Sequence, residues 1–102
     1  MKVFTQSVNF NADKELMKFA EEKVSTLTKF HDKIVDAEVF LKVQKTSDKE
    51  NKITEVKINI PGKELIVKRE TKTFEEGLTA AVDNLKRQLK RTKEKQRDSL
   101  IS

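Results

Sequence analysis

Seven basic residues crowd into one short stretch near the end of the chain: Lys86, Arg87, Lys90, Arg91, Lys93, Lys95 and Arg97, with Glu94 the single acid among them. The whole chain carries a formal net charge of +5, so the remainder is close to neutral and the positive charge is a local device. Ammonium and guanidinium groups at this density bind polyanions, most directly the phosphates of nucleic acid. At about 100° per residue, Lys86, Lys90, Lys93 and Arg97 fall within roughly 60° of arc on an ideal helix. Such a ridge can track one line of phosphates. Arg87 and Arg91 lie farther round, and their planar guanidinium groups can grip a phosphate in two places. A helix face that serves only solubility usually mixes signs, with Glu spaced against Lys; this one does not.

Other candidate chemistry is sparse. Lys23 and Lys29 lie with Lys18 in an earlier helical segment. If both helices cover one sheet face, these lysines extend the basic surface, although Glu21 and Glu22 sit beside Lys23. His31 is the only histidine. It follows Phe30 at a helix end, with no cysteine or spaced histidine nearby, so a surface or capping role is expected rather than a ligand or base. Glu75, Glu76 and Asp83 read as cap, first-turn dipole partner and solvated face. There is no nucleophile–base signature, no metal-ligand spacing and no glycine-rich phosphate motif. No catalytic residue, metal, cofactor or small-molecule substrate is expected.

The elements that must carry these residues follow from periodicity. Val3 to Val8 is a first strand. Asp13, or Asn11, can cap a helix bearing Leu16, Phe19, Ala20, Val24 and Leu27 at three- and four-residue spacing, closed by Phe30. From Ile34 to Gln44, Val35, Ala37, Val39, Leu41 and Val43 alternate with Asp36, Glu38, Phe40 and Lys42, the pattern of a strand with one covered and one wet face. Lys45 to Lys52 is a polar loop. Ile53 to Ile60 is a strand burying Val56, Ile58 and Ile60. Pro61-Gly62-Lys63 turns the chain, and Leu65 to Thr71 returns with Leu65 and Val67 inward. Thr73-Phe74-Glu75-Glu76 reads as a capping box. Phe74, Leu78, Ala81, Val82, Leu85 and Leu89 then form the core stripe of the last helix. Beyond Leu89 there is nothing left to bury, so the helix is expected to project or fray, with about 94–102 a basic tail.

The predicted order is therefore β-α-β-β-β-α: an α+β domain whose four-stranded, mostly antiparallel sheet has two helices on one face. The first strand joins an edge, parallel to its partner across the helical crossover. The 102 residues make one domain, 1–102. The absence of cysteine removes disulfides and thiolate metal sites. No apolar run suits a signal peptide or a membrane span, so a cytoplasmic protein without membrane contact is expected. Phe40 and Ile66 fall on the polar side of their strands and could form a patch on the open sheet face. There is no Trp or Tyr to stack bases, so recognition is expected by charge and shape.

At this point the sequence resembles the short, single-domain ribosome hibernation-promoting factors, also called ribosome-associated translation inhibitors or sigma-factor modulation proteins. Leu85-Lys86-Arg87-Gln88-Leu89-Lys90-Arg91-Thr92-Lys93 is similar to that family's Leu-x-x-Gln-Leu followed by spaced lysines. Lys23-Val24-Ser25-Thr26-Leu27-Thr28-Lys29-Phe30 resembles its lysine-rich close of the first helix, and Val56-Lys57-Ile58-Asn59-Ile60-Pro61 its third strand. The family often opens its last helix with Asp-Met/Leu-Tyr-x-Ala-Ile; here Phe74 and Leu78 keep the apolar roles, but Glu75 stands at the tyrosine position. Any contact that tyrosine makes is not carried over. The chain also ends at Ser102 without the linker and second domain of longer relatives, as the short form would.

The resemblance implies a fold akin to double-stranded-RNA-binding domains. It implies binding to the small ribosomal subunit and its 16S rRNA, in the channel between head and body where messenger and transfer RNA run. It carries an rRNA-binding role onto Lys23, Lys29, Lys86, Arg87, Lys90, Arg91 and Lys93, with Lys95 and Arg97 added on charge alone. The expectation is a factor, monomeric when free, that silences idle or stressed ribosomes by occlusion. Two alternatives stand beside it: a general RNA- or DNA-binding module, and a protein-interaction or dimerisation domain using the open sheet face.

Overall fold

The structure, a computed structural model, describes residues 1–45 and 51–101, with the side chains of the last helix given as far as Lys93. The order is β1 (Lys2–Val8), α1 (Lys14–Ser25), a 3₁₀ turn (Thr26–Lys29), β2 (Asp36–Val43), β3 (Lys52–Ile60), β4 (Lys63–Thr71) and α2 (Phe74–Ile101). The sheet order is β1-β2-β3-β4. β1 runs parallel to β2, whereas β2, β3 and β4 pair antiparallel. The predicted α+β architecture is thus the observed one. β1 needs the α1 crossover to arrive parallel to β2, and the other three strands need only short connections.

Alternation sorts the sheet into two faces. Ala37, Val39 and Leu41 of β2, Val56, Ile58 and Ile60 of β3, and Leu65 and Val67 of β4 are all buried. They meet Ala20, Val24 and Leu27 from the first helical segment and Phe74, Leu78, Ala81, Val82, Leu85 and Leu89 from α2 in one core. The two helices therefore share one sheet face. Phe10, in the loop before α1, stacks on Phe74 with ring centroids 5.0 Å apart, which ties the start of α2 to the β1–α1 connection.

The helix starts are set locally. The Asp13 carboxylate accepts from the Leu16 N–H at 2.7 Å, so Asp13 rather than Asn11 is the cap. The Thr73 hydroxyl accepts from the Glu76 N–H at 3.2 Å, one half of the expected capping box. α2 is 28 residues long, about 42 Å at 1.5 Å per residue. Leu89 is its last buried residue among the described side chains. The expectation of a basic tail falls on 94–102, whose side chains lie outside the described residues. The expected Lys45–Lys52 loop falls largely on 46–50, likewise outside them.

Four expectations need correction. Val35 was expected inward on β2, but it precedes the strand and is 60% exposed; its N–H donates to the Asn59 carbonyl at 2.8 Å and the side chain turns out to solvent. The first helix does not run to Phe30: it ends at Ser25 and tightens into the 3₁₀ turn. Thr26 and Thr28 donate their hydroxyls to the carbonyls of Lys23 and Ser25, bonds that favour a tightened last turn. His31 is not a surface residue but 2% exposed. Its Nδ1 accepts from the Lys33 N–H at 3.1 Å, so it holds the backbone that leads into β2. Finally, Ile53 is buried although it lies out of phase with the inward Thr54, Val56, Ile58 and Ile60, which strict alternation did not predict.

Candidate nucleic-acid interface

Gly77 sets the height of α2 over the sheet. A methyl group there would collide with the Thr54 hydroxyl and crowd Thr54 Cβ and the Thr71 hydroxyl. Glycine lets the first turns of α2 lie directly on β3 and β4. This close seating carries the later turns past the first helical segment, where α1, the 3₁₀ turn and α2 frame a groove. Lys23 and Lys29 line it from one side, with Lys86 on the other. The sequence left the association of these three lysines conditional on both helices covering one face; the structure brings them together.

Phe30 is the hinge of this arrangement. Its ring lies under two ammonium groups of α2, with Lys86 Nζ 4.9 Å and Lys90 Nζ 5.2 Å from the ring centroid. Both distances are within the range of cation–π attraction. One face of each ammonium meets the aromatic ring, which leaves N–H donors directed outward. The sequence marked Phe30 only as the residue closing a helix. The signal that could have shown its role was the aromatic directly after Lys29, at the end facing the basic helix.

The groove is electrostatically two-ended. Glu75, Glu76 and Asp83 line it toward the start of α2, against Lys23, Lys29 and Lys86. Asp83 is engaged by Arg87 at 2.9 Å, so this arginine is partly neutralised. The charges are thus sorted along the groove, acidic toward the start of α2 and basic toward Lys86. Lys93 is exposed beyond Lys90. Arg91 points away from the groove, to the opposite flank of α2. The backbone at Lys95 and Arg97 is helical.

The open sheet face has a different character. Phe4 and Ile66 are 55% and 53% exposed, while Phe40 is half-buried. Between them Lys57 bridges Glu38 at 3.3 Å and Glu64 at 2.7 Å. The hydrogen bond it donates to Glu64, followed by that to Glu38, pushes the Lys57 ammonium above its ordinary pKa. This face mixes apolar and paired charged groups and carries no ridge of one sign.

Among the described residues no group of His, Cys, Asp and Glu is placed to hold a metal ion, and no helix is long and apolar enough to cross a membrane.

Comparison with known proteins identifies the family and the fold. The family model described as Sigma 54 modulation protein / S30EA ribosomal protein matches residues 3–97. The chain is 31% identical over 100 residues to a ribosome hibernation promoting factor of Pseudomonas putida, covering 98% of this chain and 94% of that protein. In three dimensions it resembles the N-terminal domain of Thermus thermophilus Protein Y, with a TM-score of 0.78 and 22% identity over 90% of this chain and 99% of that one. It likewise resembles a ribosomal subunit interface protein from Coxiella burnetii, with a TM-score of 0.79 and 17% identity over 92% and 99% of the two chains. These two likenesses establish the fold, and the sequence match spans nearly the whole chain. The chain belongs to the Sigma 54 modulation protein / S30EA ribosomal protein family.

Proposed function

We propose that this protein is a ribosome hibernation factor. It docks on the small ribosomal subunit in the channel for messenger and transfer RNA and blocks translation in idle or stressed cells. The observation that carries this reading is the gathering of Lys86 with Lys23 and Lys29 on one groove, where Phe30 braces both Lys86 and Lys90. Family membership supplies the ribosome as partner. The chemistry supplies the target on it: a cationic ridge without stacking aromatics suits the 16S rRNA backbone, recognised by charge and shape.

The mechanism is occlusion, not catalysis, and it acts where ribosomes are, in the cytoplasm. The domain fills space that RNA ligands need, and the lysine and arginine donors replace the counterions of the phosphates they contact. Lys23, Lys29, Lys86, Arg87, Lys90, Arg91 and Lys93 form the contact set, extended by Lys95 and Arg97.

Reversing Lys86, Lys90 and Lys93 to Glu tests this. Lys90 and Lys93 are exposed and Lys86 is half-buried at the groove rim, so folding should survive, as circular dichroism would show. Cosedimentation with small subunits should fall at least about a hundredfold at moderate salt. A folded triple variant that still cosediments like wild type would rule out the basic ridge as the docking surface.

A further inference from the structure

Lys63 is an exposed lysine at the start of β4, on the side of the sheet that faces α2. By strand alternation it shares the helix-facing side of β4 with Leu65 and Val67, both buried. Its position is fixed by the tight turn: Ile60 pairs with Lys63, and Gly62 between them adopts φ 76°, the left-handed conformation a Pro-Gly turn requires. The exposed Lys63 therefore stands beside the far flank of α2, where it lines a notch with Gln88, Arg91 and Thr92.

Two cations and two neutral hydrogen-bonding side chains share this concavity, and among the described residues no carboxylate lines it. The acid next in sequence, Glu64, is engaged by Lys57 at 2.7 Å on the opposite sheet face. Neither Lys63 nor Arg91 belongs to an ion pair among the described residues. The neutral members are already ordered: Gln88 Nε2 donates to Asn84 Oδ1 at 2.6 Å, and the Thr92 hydroxyl donates to the Gln88 carbonyl at 2.9 Å. Like charges gathered in one notch repel, and an anion between them converts that repulsion into attraction. Arg91 offers a planar fork of donors and Lys63 a point charge, the pair of chemistries that suits a phosphate group.

We propose that the Lys63–Arg91 notch is a second phosphate-binding site, separate from the ridge on Phe30. Lys86 and Arg91 are five positions apart, about 140° around the helix, so the two sites grip RNA backbone on opposite flanks of α2. The projecting helix is clamped from both sides rather than laid along one strand. As a site on ribosomal RNA this rests on the function proposed above; as a phosphate site it stands on the notch alone.

The test has two arms on the full chain. In the first, inorganic phosphate is titrated while the side-chain NMR signals of Lys63, Arg91 and Lys68 are followed; Lys68 is an exposed lysine on the open face. Saturable shifts at Lys63 and Arg91 that exceed those at Lys68 are expected, and equal shifts at all three overturn the site. In the second, affinity for small ribosomal subunits is measured across a salt series for wild type, Lys63→Glu, Lys63→Ala and the control Lys68→Glu. Both Lys63 variants should weaken binding, Lys63→Glu by about tenfold, and flatten the log–log salt slope by roughly 0.7–0.9, the loss of one phosphate contact. Lys68→Glu should leave the slope unchanged. If wild type binds small subunits and the Lys63 variants match Lys68→Glu, the notch is not an RNA contact. If wild type does not bind them although phosphate fills the notch, it is the hibernation reading that fails.

Discussion

The Lys86 ammonium stands 4.9 Å from the centroid of the Phe30 ring, joining the most cationic stretch of α2 to the turn that ends the first helical segment. A long lysine side chain loses conformational entropy when it binds a phosphate. A ring that already holds its ammonium in place reduces that loss. The contact is therefore a strut of the fold and, on the function proposed, a device that preorganises the docking surface.

A double-mutant cycle reads this contact directly. Phe30→Leu and Lys86→Met, singly and together, should show a coupling of about 0.5–1 kcal/mol in unfolding free energy, the range of an exposed or partly exposed cation–π pair. Chemical denaturation measures it. Strict additivity would mean that the ring and the ammonium do not interact.

Gly77 should resist substitution. In an ordinary helix Gly→Ala adds up to about 1 kcal/mol of stability. Here the new methyl meets Thr54 and Thr71, and overpacking of this kind costs about 1–3 kcal/mol. Gly77→Ala should therefore lower stability by about 1–2 kcal/mol. Thr54→Val should be neutral or mildly stabilising, because the buried Thr54 hydroxyl has no hydrogen-bond partner among the described residues. Thermal unfolding of both variants decides the matter, and a stabilised Gly77→Ala would show that α2 can lift without loss.

Much of this fold was legible in the chain. The alternation from Ala37 to Leu41 and the stripe from Phe74 to Leu89 each report one buried face, and a buried face is what hydrophobic periodicity encodes. Val35 misled because its apolar type continues the pattern, while its backbone has already left the ladder to bond Asn59. His31 misled because burial of a lone imidazole depends on the path of the chain around it. The site was legible as charge but not as shape. Spacing put Lys86, Lys90 and Lys93 on one arc, yet only the packing of two helices brings Phe30 beneath them, and only the β3–β4 turn brings Lys63 to Arg91.

Alkaline pH should weaken the open sheet face. Hydrogen bonds donated to Glu64 and Glu38 raise the Lys57 pKa above its ordinary value near 10.5. A raised lysine pKa means stability fully present below that ordinary value and lost as pH climbs through the raised one. The stability gap between wild type and Lys57→Met should thus hold from pH 7 to about pH 10 and close above it. A gap independent of pH would show that the two carboxylates do not favour the charged ammonium.

Asp83 restrains Arg87 through their 2.9 Å ion pair. Asp83→Asn removes the carboxylate from the groove and releases the guanidinium, so binding to small subunits should tighten about two- to fivefold at low salt and converge on wild type as salt screens the difference. Filter-binding titrations at two salt concentrations check this. Weaker binding by Asp83→Asn would mean that the pair positions Arg87 for contact instead of restraining it.

The central claim is that α2 delivers this domain to the small ribosomal subunit. Cosedimentation of the purified protein with separated small subunits, large subunits and whole ribosomes, beside a random RNA duplex, tests it most directly. Near-stoichiometric binding to small subunits and whole ribosomes that persists at moderate salt, with none to large subunits, is the predicted result. Equal binding to every RNA that vanishes with salt would contradict it and leave only a generic polyanion binder.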